Sequence, residues 1–496
     1  MNSTSALVNE QGDRGHHDPV AARPHPPGLW TLSGIELWER FSFYGLQVLL
    51  AYYLYFSVSE GGLGFSMGEG LAIAGAYGGG VYLLQPVGAW IADRLVPAQT
   101  VVVGGGLLVI AGHIVLSAVP NLTGLLIGLV LITCGTGGLF PTVLALMGDV
   151  YRDRSTTRDA GFSIFYTGIL VGALVGPLAT GFLHERWGFH LAFAAAAVGM
   201  ALGLLIFLLR SSTLPASATS VPNPLERREG VRALLYAVGA LAVVVLVAVS
   251  GLVTLANLNY LILALLLVVA AVYIVRMQRS RDTAPAERGN VRRFAAIFGI
   301  GMVFYTLVLQ LFTTFAVYAD TRAEMSIGSL AIPAAYISTF QVVTAIVLGP
   351  LLASLWTRMG ARQPSTVAKL ALGMGAMALT FAFFAVVPIW HQGPVTLIPI
   401  VIGMMLHGIS EIIFAPVAMS AVSQVSPRAF RTQTMAVWGL AIGSGASLSG
   451  LVSQWWSPEN ESLYFGITAA VAAVMTLVII LVRRPLAGSV LVAAAE

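Results

Sequence analysis

The most reactive part of this chain is a group of charged residues inside a long apolar run. Glu36, Glu39 and Arg40 lie in the run from Leu29 to Phe56. Glu36 and Arg40 are four residues apart and the two acids are three apart, so on a helix they are placed to interact. One arginine cannot balance two acids, which leaves one carboxylate able to gain or lose a proton. The alternative is a structural ion pair that fastens two helices.

The length of this run indicates a membrane helix. Its 28 residues would extend about 42 Å at about 1.5 Å per residue, enough to cross a bilayer. A charged residue inside such a segment costs about 2.5–3.5 kcal/mol on insertion scales, so it marks a function by default. We therefore favour proton chemistry over a purely structural pair.

A second intramembrane acid, Glu411, lies in the apolar run that ends at Pro416. No base lies one helical turn away, so its partner must be another helix, a ligand or a proton. Burial favours the neutral form of a carboxyl group, and a nearby cation favours its charged form. Acids in both halves of the chain therefore suit a mechanism in which a change of partners binds and releases a proton. Weaker polar candidates are Tyr82, Tyr305 and Gln310.

The composition is that of a protein that crosses the membrane many times. The chain has 496 residues, of which 57% are hydrophobic and 10% charged, whereas soluble domains carry about 25% charged residues. The mean hydropathy is +0.85. The net charge of +4 comes from arginines in short loops and does not indicate nucleic-acid binding. The single cysteine, Cys134, excludes an internal disulfide.

Apolar runs predict an all-α polytopic membrane protein with fourteen transmembrane helices. The predicted spans are 29–57, 69–95, 98–119, 122–150, 159–184, 189–210, 231–250, 253–277, 292–319, 331–357, 364–388, 394–425, 431–453 and 462–484. They group into a disordered cytoplasmic tail (1–28), an N-terminal six-helix bundle (29–210), a linker (211–230), two extra helices (231–277), a cytoplasmic loop (278–291), a C-terminal six-helix bundle (292–484) and a tail (485–496). Two six-helix bundles around a midplane site are the major facilitator design.

Arginine is concentrated in alternate loops, which places both termini in the cytoplasm. The expected location is the bacterial cytoplasmic membrane. We interpret the two extra helices as peripheral packing with no direct role.

The first helix also carries a known family signature. Its sequence from Glu36 to Gly45, ELWERFSFYG, resembles the E-x-x-E-R-F-x-Y-Y-G signature of the proton-dependent oligopeptide transporters, and departs from it only at Phe43. Other stretches agree along residues 30–485: Val81–Leu83, Ile91–Arg94, Gly112–His113, Gly161–Tyr166, Gly188–His190, Glu411 with Pro416, and Met435–Trp438.

The resemblance implies the major facilitator fold and import of di- and tripeptides driven by a proton gradient. It implies that Glu36, Glu39, Arg40 and Glu411 act in proton coupling, and that Glu411 also meets the ammonium group of the ligand. The expected substrate-binding residues are Tyr44, Tyr82, Phe140, Tyr166, Leu170, Tyr305, Gln310, Gln341, Glu411 and Trp438.

The departures from the family pattern concern the substrate pocket. Phe140 stands where the family's fourth helix carries a lysine, and the only lysine in the chain is Lys369. Leu170 replaces an asparagine, Leu309 an acid and Gln341 an asparagine. Loss of a charge-assisted contact commonly costs about 1.5–3 kcal/mol. We therefore expect a more apolar pocket and altered specificity, for a modified peptide, a peptide-like natural product or an amine-bearing drug-like molecule.

Other interpretations remain open from the sequence. The same carboxylates could drive a proton-coupled exporter of a drug or peptide-like natural product, or the chain could be a receptor or scaffold without transport. No catalytic constellation is visible, so we do not expect an enzyme. We expect no cofactor and no metal site, with the proton gradient as energy source. The expected partners are protons, the lipid bilayer and a short-peptide or small-molecule substrate, with no nucleic acid and a monomeric protein.

Overall fold

The computed structural model describes residues 25–152, 155–226, 228–232, 235, 239, 246 and 250–483. Residues 1–24 of the predicted N-terminal tail, the C-terminal tail and most of the predicted span 231–250 lie outside the described residues.

The N-terminal part forms six long helices, as the apolar runs predict. They are α1 (Pro27–Tyr55), α2 (Met67–Arg94), α3 (Ala98–Ala118), α4 (Leu122–Val150), α5 (Ser155–Trp187) and α6 (Phe189–Leu209). Local sequence explains several ends. Pro27 occupies the first position of α1, where its missing N–H costs nothing. The side chain of Ser66 caps α2 and that of Asn121 caps α4.

The second extra helix is α7 (Leu255–Arg279), and the C-terminal bundle follows it. The bundle contains α8 (Arg288–Val308), α9 (Thr314–Thr321), α10 (Ile337–Met359), α11 (Thr366–Trp390), α12 (Leu397–Val425), α13 (Arg431–Val452) and α14 (Glu461–Leu481). Two short strand pairs lie in its connections. Strand β1 (Ala323–Glu324) pairs in parallel with β4 (Val395–Thr396), and β2 (Ser326–Ile327) pairs antiparallel with β3 (Leu330–Ala331).

The helices are suited to a membrane. Among the described residues, eleven helical segments are long and apolar enough to span a bilayer by length and composition. Helices α1 and α2 are also long enough to span, with 29 and 28 residues. Charged residues lie inside α1 and at the ends of α2. The predicted all-α membrane fold is confirmed.

The two six-helix bundles repeat the same packing pattern. In the N-terminal bundle the first helix packs on the fifth, the second on the fourth, and the third on the fourth and sixth (α1–α5, α2–α4, α3–α4, α3–α6). The C-terminal bundle repeats these contacts as α8–α13, α10–α12, α11–α12 and α11–α14. The two halves therefore share one tertiary packing pattern, as expected from the major facilitator design.

The halves meet through equivalent helices, since α2 packs on α13 and α5 on α10. Short connections make successive helices antiparallel, so Pro27 and Leu481 lie at the same end, here called the terminal face. The opposite end is the far face. At the far face three hydrogen bonds join the halves: Tyr52 Oη to the Ala316 carbonyl, Tyr55 Oη to Asp320, and Tyr336 Oη to the Leu178 carbonyl, at 2.8–2.9 Å.

The predicted span 292–319, the first of the C-terminal bundle, is broken in the structure. Helix α8 ends at Val308, a 3₁₀ turn covers Leu309–Phe312, and Thr313 adopts φ −125° and ψ −91° before α9 begins. Hydroxyls from neighbouring helices stabilise the break: Thr313 bonds Ser449 at 2.9 Å, and Thr314 bonds Ser453 at 2.7 Å. Such side-chain hydrogen bonds attach the interrupted helix to α13 and to the turn that follows it.

Helix α7 is less peripheral than the sequence suggested. It packs on α2 of the N-terminal half and on α13 of the C-terminal half. Its buried Asn259 donates a hydrogen bond to the Ser447 carbonyl at 3.0 Å. The extra helix therefore contacts both halves where α2 and α13 meet. Glycines on α2 and α13 allow it to approach closely.

Candidate functional site

A cavity of about 520 Å³ lies between the two halves, within the usual size range for ligand sites. It lies beside α1, α2, α5 and the 3₁₀ turn, and continues along α10 and α12 towards the terminal face. Along α10 its lining runs from Ser338 near the far face to Trp356 near the terminal face. The hydrogen bonds that join the halves lie at the far face, so the cavity is closed there and extends to the terminal face.

Helix α1 brings the first acidic cluster to the cavity wall. The Arg40 Nε atom lies 2.9 Å from Glu36 Oε1 and 2.6 Å from Glu39 Oε2. Both glutamates are fully buried, and the Arg40 side chain is 8% exposed. Arg40 lines the cavity, whereas the two acids lie behind it. The predicted ion pair therefore forms, and a single guanidinium serves both carboxylates.

The guanidinium is also sandwiched by two aromatic rings. Arg40 Cζ lies 4.4 Å from the ring centroid of Phe140 on α4 and 5.1 Å from that of Phe43 on α1. Both distances are within the range of a cation–π interaction. Phe140, the residue at the expected lysine position, thus meets Arg40 with a ring instead of a second cation.

The C-terminal half contributes the other acid. Glu411 on α12 lines the cavity, and its carboxylate accepts a hydrogen bond from the Gln341 side chain on α10. The partner therefore comes from another helix, as the sequence required. None of the five ion pairs formed by described residues includes Glu411. Among the described residues, Glu411 is thus a half-buried acid with a neutral partner.

Most of the other expected substrate-binding residues also line the cavity. Tyr44, Tyr82, Phe140, Tyr166, Leu170 and Gln341 are all at its wall. Polar lining residues that the sequence did not single out are Gln47, Thr313 and Ser338. Thr313 lies at the break between α8 and α9 and is itself buried. The cavity wall is otherwise largely apolar.

Three expected residues, Tyr305, Gln310 and Trp438, do not line this cavity in the structure. Tyr305 and Trp438 pack on each other with ring centroids 5.9 Å apart. Gln310 is fully buried and accepts a hydrogen bond from Tyr464 Oη at 2.9 Å. For Gln310, the physical reason is the 3₁₀ turn that contains it, which rotates the chain and directs the Gln310 side chain towards α14.

Among the described residues, no group of three His, Cys, Asp or Glu side chains is placed to hold a metal ion. The functional groups that the described site contains are the ion pairs of Arg40, the Glu411 carboxylate without a cationic partner, and an apolar cavity wall.

Comparisons with known proteins assign the family. A family model described as PTR2, POT family, matches residues 99–468. The chain is 34% identical to the uncharacterized transporter YclF of Bacillus subtilis, over 91% of this chain and 92% of that protein. It is 30% identical to a di-/tripeptide transporter of Lactococcus lactis, over 93% and 96%. The fold matches a crystal structure of a peptide transporter POT in complex with sulfate, with TM-score 0.89, 36% identity and coverage of 93% and 95%. The protein therefore belongs to the POT family of proton-dependent oligopeptide transporters.

Proposed function

We propose that this protein is a proton-coupled symporter that takes up peptides or peptide-like compounds by alternating access. The observation that carries the proposal is the placement of acids on both halves of a central cavity that is closed at one face, with Glu36 and Glu39 fully buried and Glu411 half-buried. Such acids can bind a proton only when the cavity gives them access to water, and each half moves relative to the other in the major facilitator design.

The terminal face is cytoplasmic in this proposal, because the arginine-rich loops lie on that side. The structure then corresponds to the inward-open state in a bacterial cytoplasmic membrane. The hydrogen bonds of Tyr52, Tyr55 and Tyr336 form the closed outer gate, and they must break when the cavity opens outward. We propose that the protein acts as a monomer, since each chain contains both halves of the cavity.

The roles of the charged residues follow from their contacts. Glu36 and Glu39 compete for one guanidinium, so protonation of either acid frees Arg40 to pair fully with the other. Glu411, on the opposite wall, would neutralise the ammonium group of a substrate, because it has no cation of its own among the described residues. Tyr44, Tyr82 and Tyr166 supply hydroxyls, and Leu170 supplies apolar surface.

Transport by purified protein in liposomes tests this proposal. An inward proton gradient should accelerate substrate accumulation, and a reversed gradient should drive efflux of preloaded substrate. Counterflow without a gradient should continue, because exchange needs binding and alternation but no net proton movement. Transport that ignores both the size and the sign of the proton gradient would refute the symport mechanism. Accumulation that is driven by an outward proton gradient, with substrate entering as protons leave, would identify an exporter instead.

A further inference from the structure

We propose that the preferred substrates carry an ammonium group and an apolar body but no free carboxylate, and that Phe140 excludes the free acids. Dipeptides with a blocked carboxyl group and hydrophobic peptide-like amines belong to this class. The inference rests on the proposed transport function and specifies the substrate class of the same cavity.

The first argument is the charge balance of the cavity. Among the described residues, its lining contains one basic side chain, Arg40, and one acidic side chain, Glu411. Arg40 is already paired with Glu36 and Glu39 through one nitrogen atom. The N-terminal wall thus carries two carboxylates for one cation. A substrate carboxylate placed there would be the third anion around a single guanidinium, in a poorly screened environment.

The second argument is access to Arg40. Its side chain is only 8% exposed. The ring of Phe140 lies 4.4 Å from the guanidinium carbon and itself forms part of the cavity wall. A carboxylate that approached Arg40 from the cavity would meet this ring beside the guanidinium and would lose its own hydration. An uncharged amide or ester group would meet the ring without that desolvation penalty.

A further cation, at the terminal end of the cavity, does not serve the site. Lys369, the only lysine in the chain, lies over Trp356 at the terminal end of the cavity, with Nζ 4.8 Å from the ring centroid. Its ammonium donates a hydrogen bond to Gln363 at 2.7 Å. Lys369 therefore belongs to the entrance and leaves the wall beside Arg40 without a second positive charge.

The opposite wall favours an ammonium group. Glu411 accepts one hydrogen bond from Gln341, and an ionised carboxylate has about four acceptor positions. An ammonium group can therefore add further hydrogen bonds while neutralising the acid. Apolar residues of the same cavity would pack on the body of the substrate: Ile169, Leu170, Leu309, Phe312, Val342 and Ile412.

A matched pair of substrates tests the inference directly. The pair is phenylalanyl-alanine and its C-terminal amide, which differ only in the terminal group. In proteoliposomes with an inward proton gradient, the concentration that gives half-maximal uptake should be at least about tenfold lower for the amide than for the free acid. This is the usual effect of one charge-assisted contact. Binding measured by a ligand-induced rise in the unfolding temperature should show the same order. Equal affinity for the two compounds, or preference for the free acid, would overturn the proposal, as would failure to bind the amide.

Variants at Phe140 test the role of the ring. Phe140→Lys adds a cation beside Glu36 and Glu39 and should narrow or reverse the preference for the amide. Phe140→Leu removes the ring without adding charge and is the matched control, so it should narrow the preference for the amide less than Phe140→Lys does. If both variants shift the preference equally, charge is not the cause. The proposed function fails separately, because amide uptake that is indifferent to the proton gradient would remove proton coupling and leave the substrate class intact.

Discussion

The guanidinium carbon of Arg40 lies 4.4 Å from the ring centroid of Phe140, across the interface between α1 and α4. A desolvated cation–π contact of this kind contributes about 0.5–2 kcal/mol. The ring therefore stabilises Arg40 in a cluster with two acids without changing the charge of that cluster. It gives the cation a second fixed partner, which a flexible ammonium side chain at position 140 would not provide.

The first prediction concerns the shape of this cation. Arg40→Lys keeps the charge but removes the planar group that stacks on Phe140 and Phe43. We expect proton-driven uptake to fall by about tenfold or more. Complete loss of one partner of a buried charge pair costs about 3–5 kcal/mol, and a lysine that pairs with altered geometry loses part of this energy. Initial uptake rates in proteoliposomes measure the change. Arg428→Lys, at an exposed position, is the control and should transport normally.

The second prediction separates proton coupling from substrate binding. Glu36→Gln and Glu39→Gln each remove one of the two carboxylates that share Arg40. Because the remaining acid then pairs with Arg40 permanently, we expect accumulation against a gradient to be lost while counterflow persists. Uptake under an imposed proton gradient and counterflow without one should be measured on the same preparations. Glu324→Gln, an exposed acid, should retain both activities. Gradient-driven accumulation of normal size in both variants would contradict the assignment.

The third prediction concerns the acid on the opposite wall. Glu411→Gln can keep a hydrogen bond with Gln341 but removes the negative charge. We expect the apparent affinity for amine substrates to fall by about tenfold or more, as for loss of one charge-assisted contact. Competition binding against a labelled substrate measures this loss. A neutral ligand should bind the variant and the unmodified protein alike, which distinguishes loss of an ion pair from a damaged cavity.

The membrane helices were predictable because a bilayer imposes a minimum apolar length, and turn residues mark the ends. Helix α4, predicted at 122–150, occupies Leu122–Val150, and α6 differs from its prediction by one residue. The break between α8 and α9 was not predictable, because neither proline nor glycine occurs there. It depends on hydroxyl contacts from Thr313 and Thr314 to α13, which bring together residues more than a hundred positions apart.

The same break explains which site residues the sequence could not place. Local spacing correctly indicated that Glu36 pairs with Arg40, because residues four apart on a helix are neighbours. It could not show that Gln310 faces α14, since the 3₁₀ turn changes the helical phase. The contact between Phe140 and Arg40 also could not be predicted from spacing along the chain, because it joins two helices.

The fourth prediction concerns the gate at the far face. Tyr55→Phe removes the hydroxyl that donates to Asp320 at 2.8 Å between the two halves. Since a hydrogen bond contributes about 0.5–1.5 kcal/mol net, the outward-open population should rise about two- to tenfold. The cavity residue Ser338 can report this change as Ser338→Cys in a Cys134→Ala background, labelled in whole cells by a membrane-impermeant thiol reagent. Tyr260→Phe, an exposed tyrosine on α7, is the control. Unchanged labelling in Tyr55→Phe would show that this bond does not hold the gate.

The last prediction concerns the glycine contact that closes the far face. A Cβ atom at Gly75 on α2 would lie 2.7 Å from Gly450 Cα and 2.9 Å from the Ala446 carbonyl oxygen on α13. These are backbone atoms, so only separation of the two helices can relieve the overlap, and overpacking of this kind costs about 1–3 kcal/mol. Gly75→Ala should therefore lower the thermal unfolding midpoint of the purified protein and raise the labelling of Ser338→Cys from outside. Gly104→Ala is the matched control, because a Cβ atom there meets nothing within 4 Å, and it should leave the labelling unchanged and the midpoint equal or slightly higher. A normal midpoint together with normal labelling in Gly75→Ala would mean that the close approach of α2 and α13 does not determine closure.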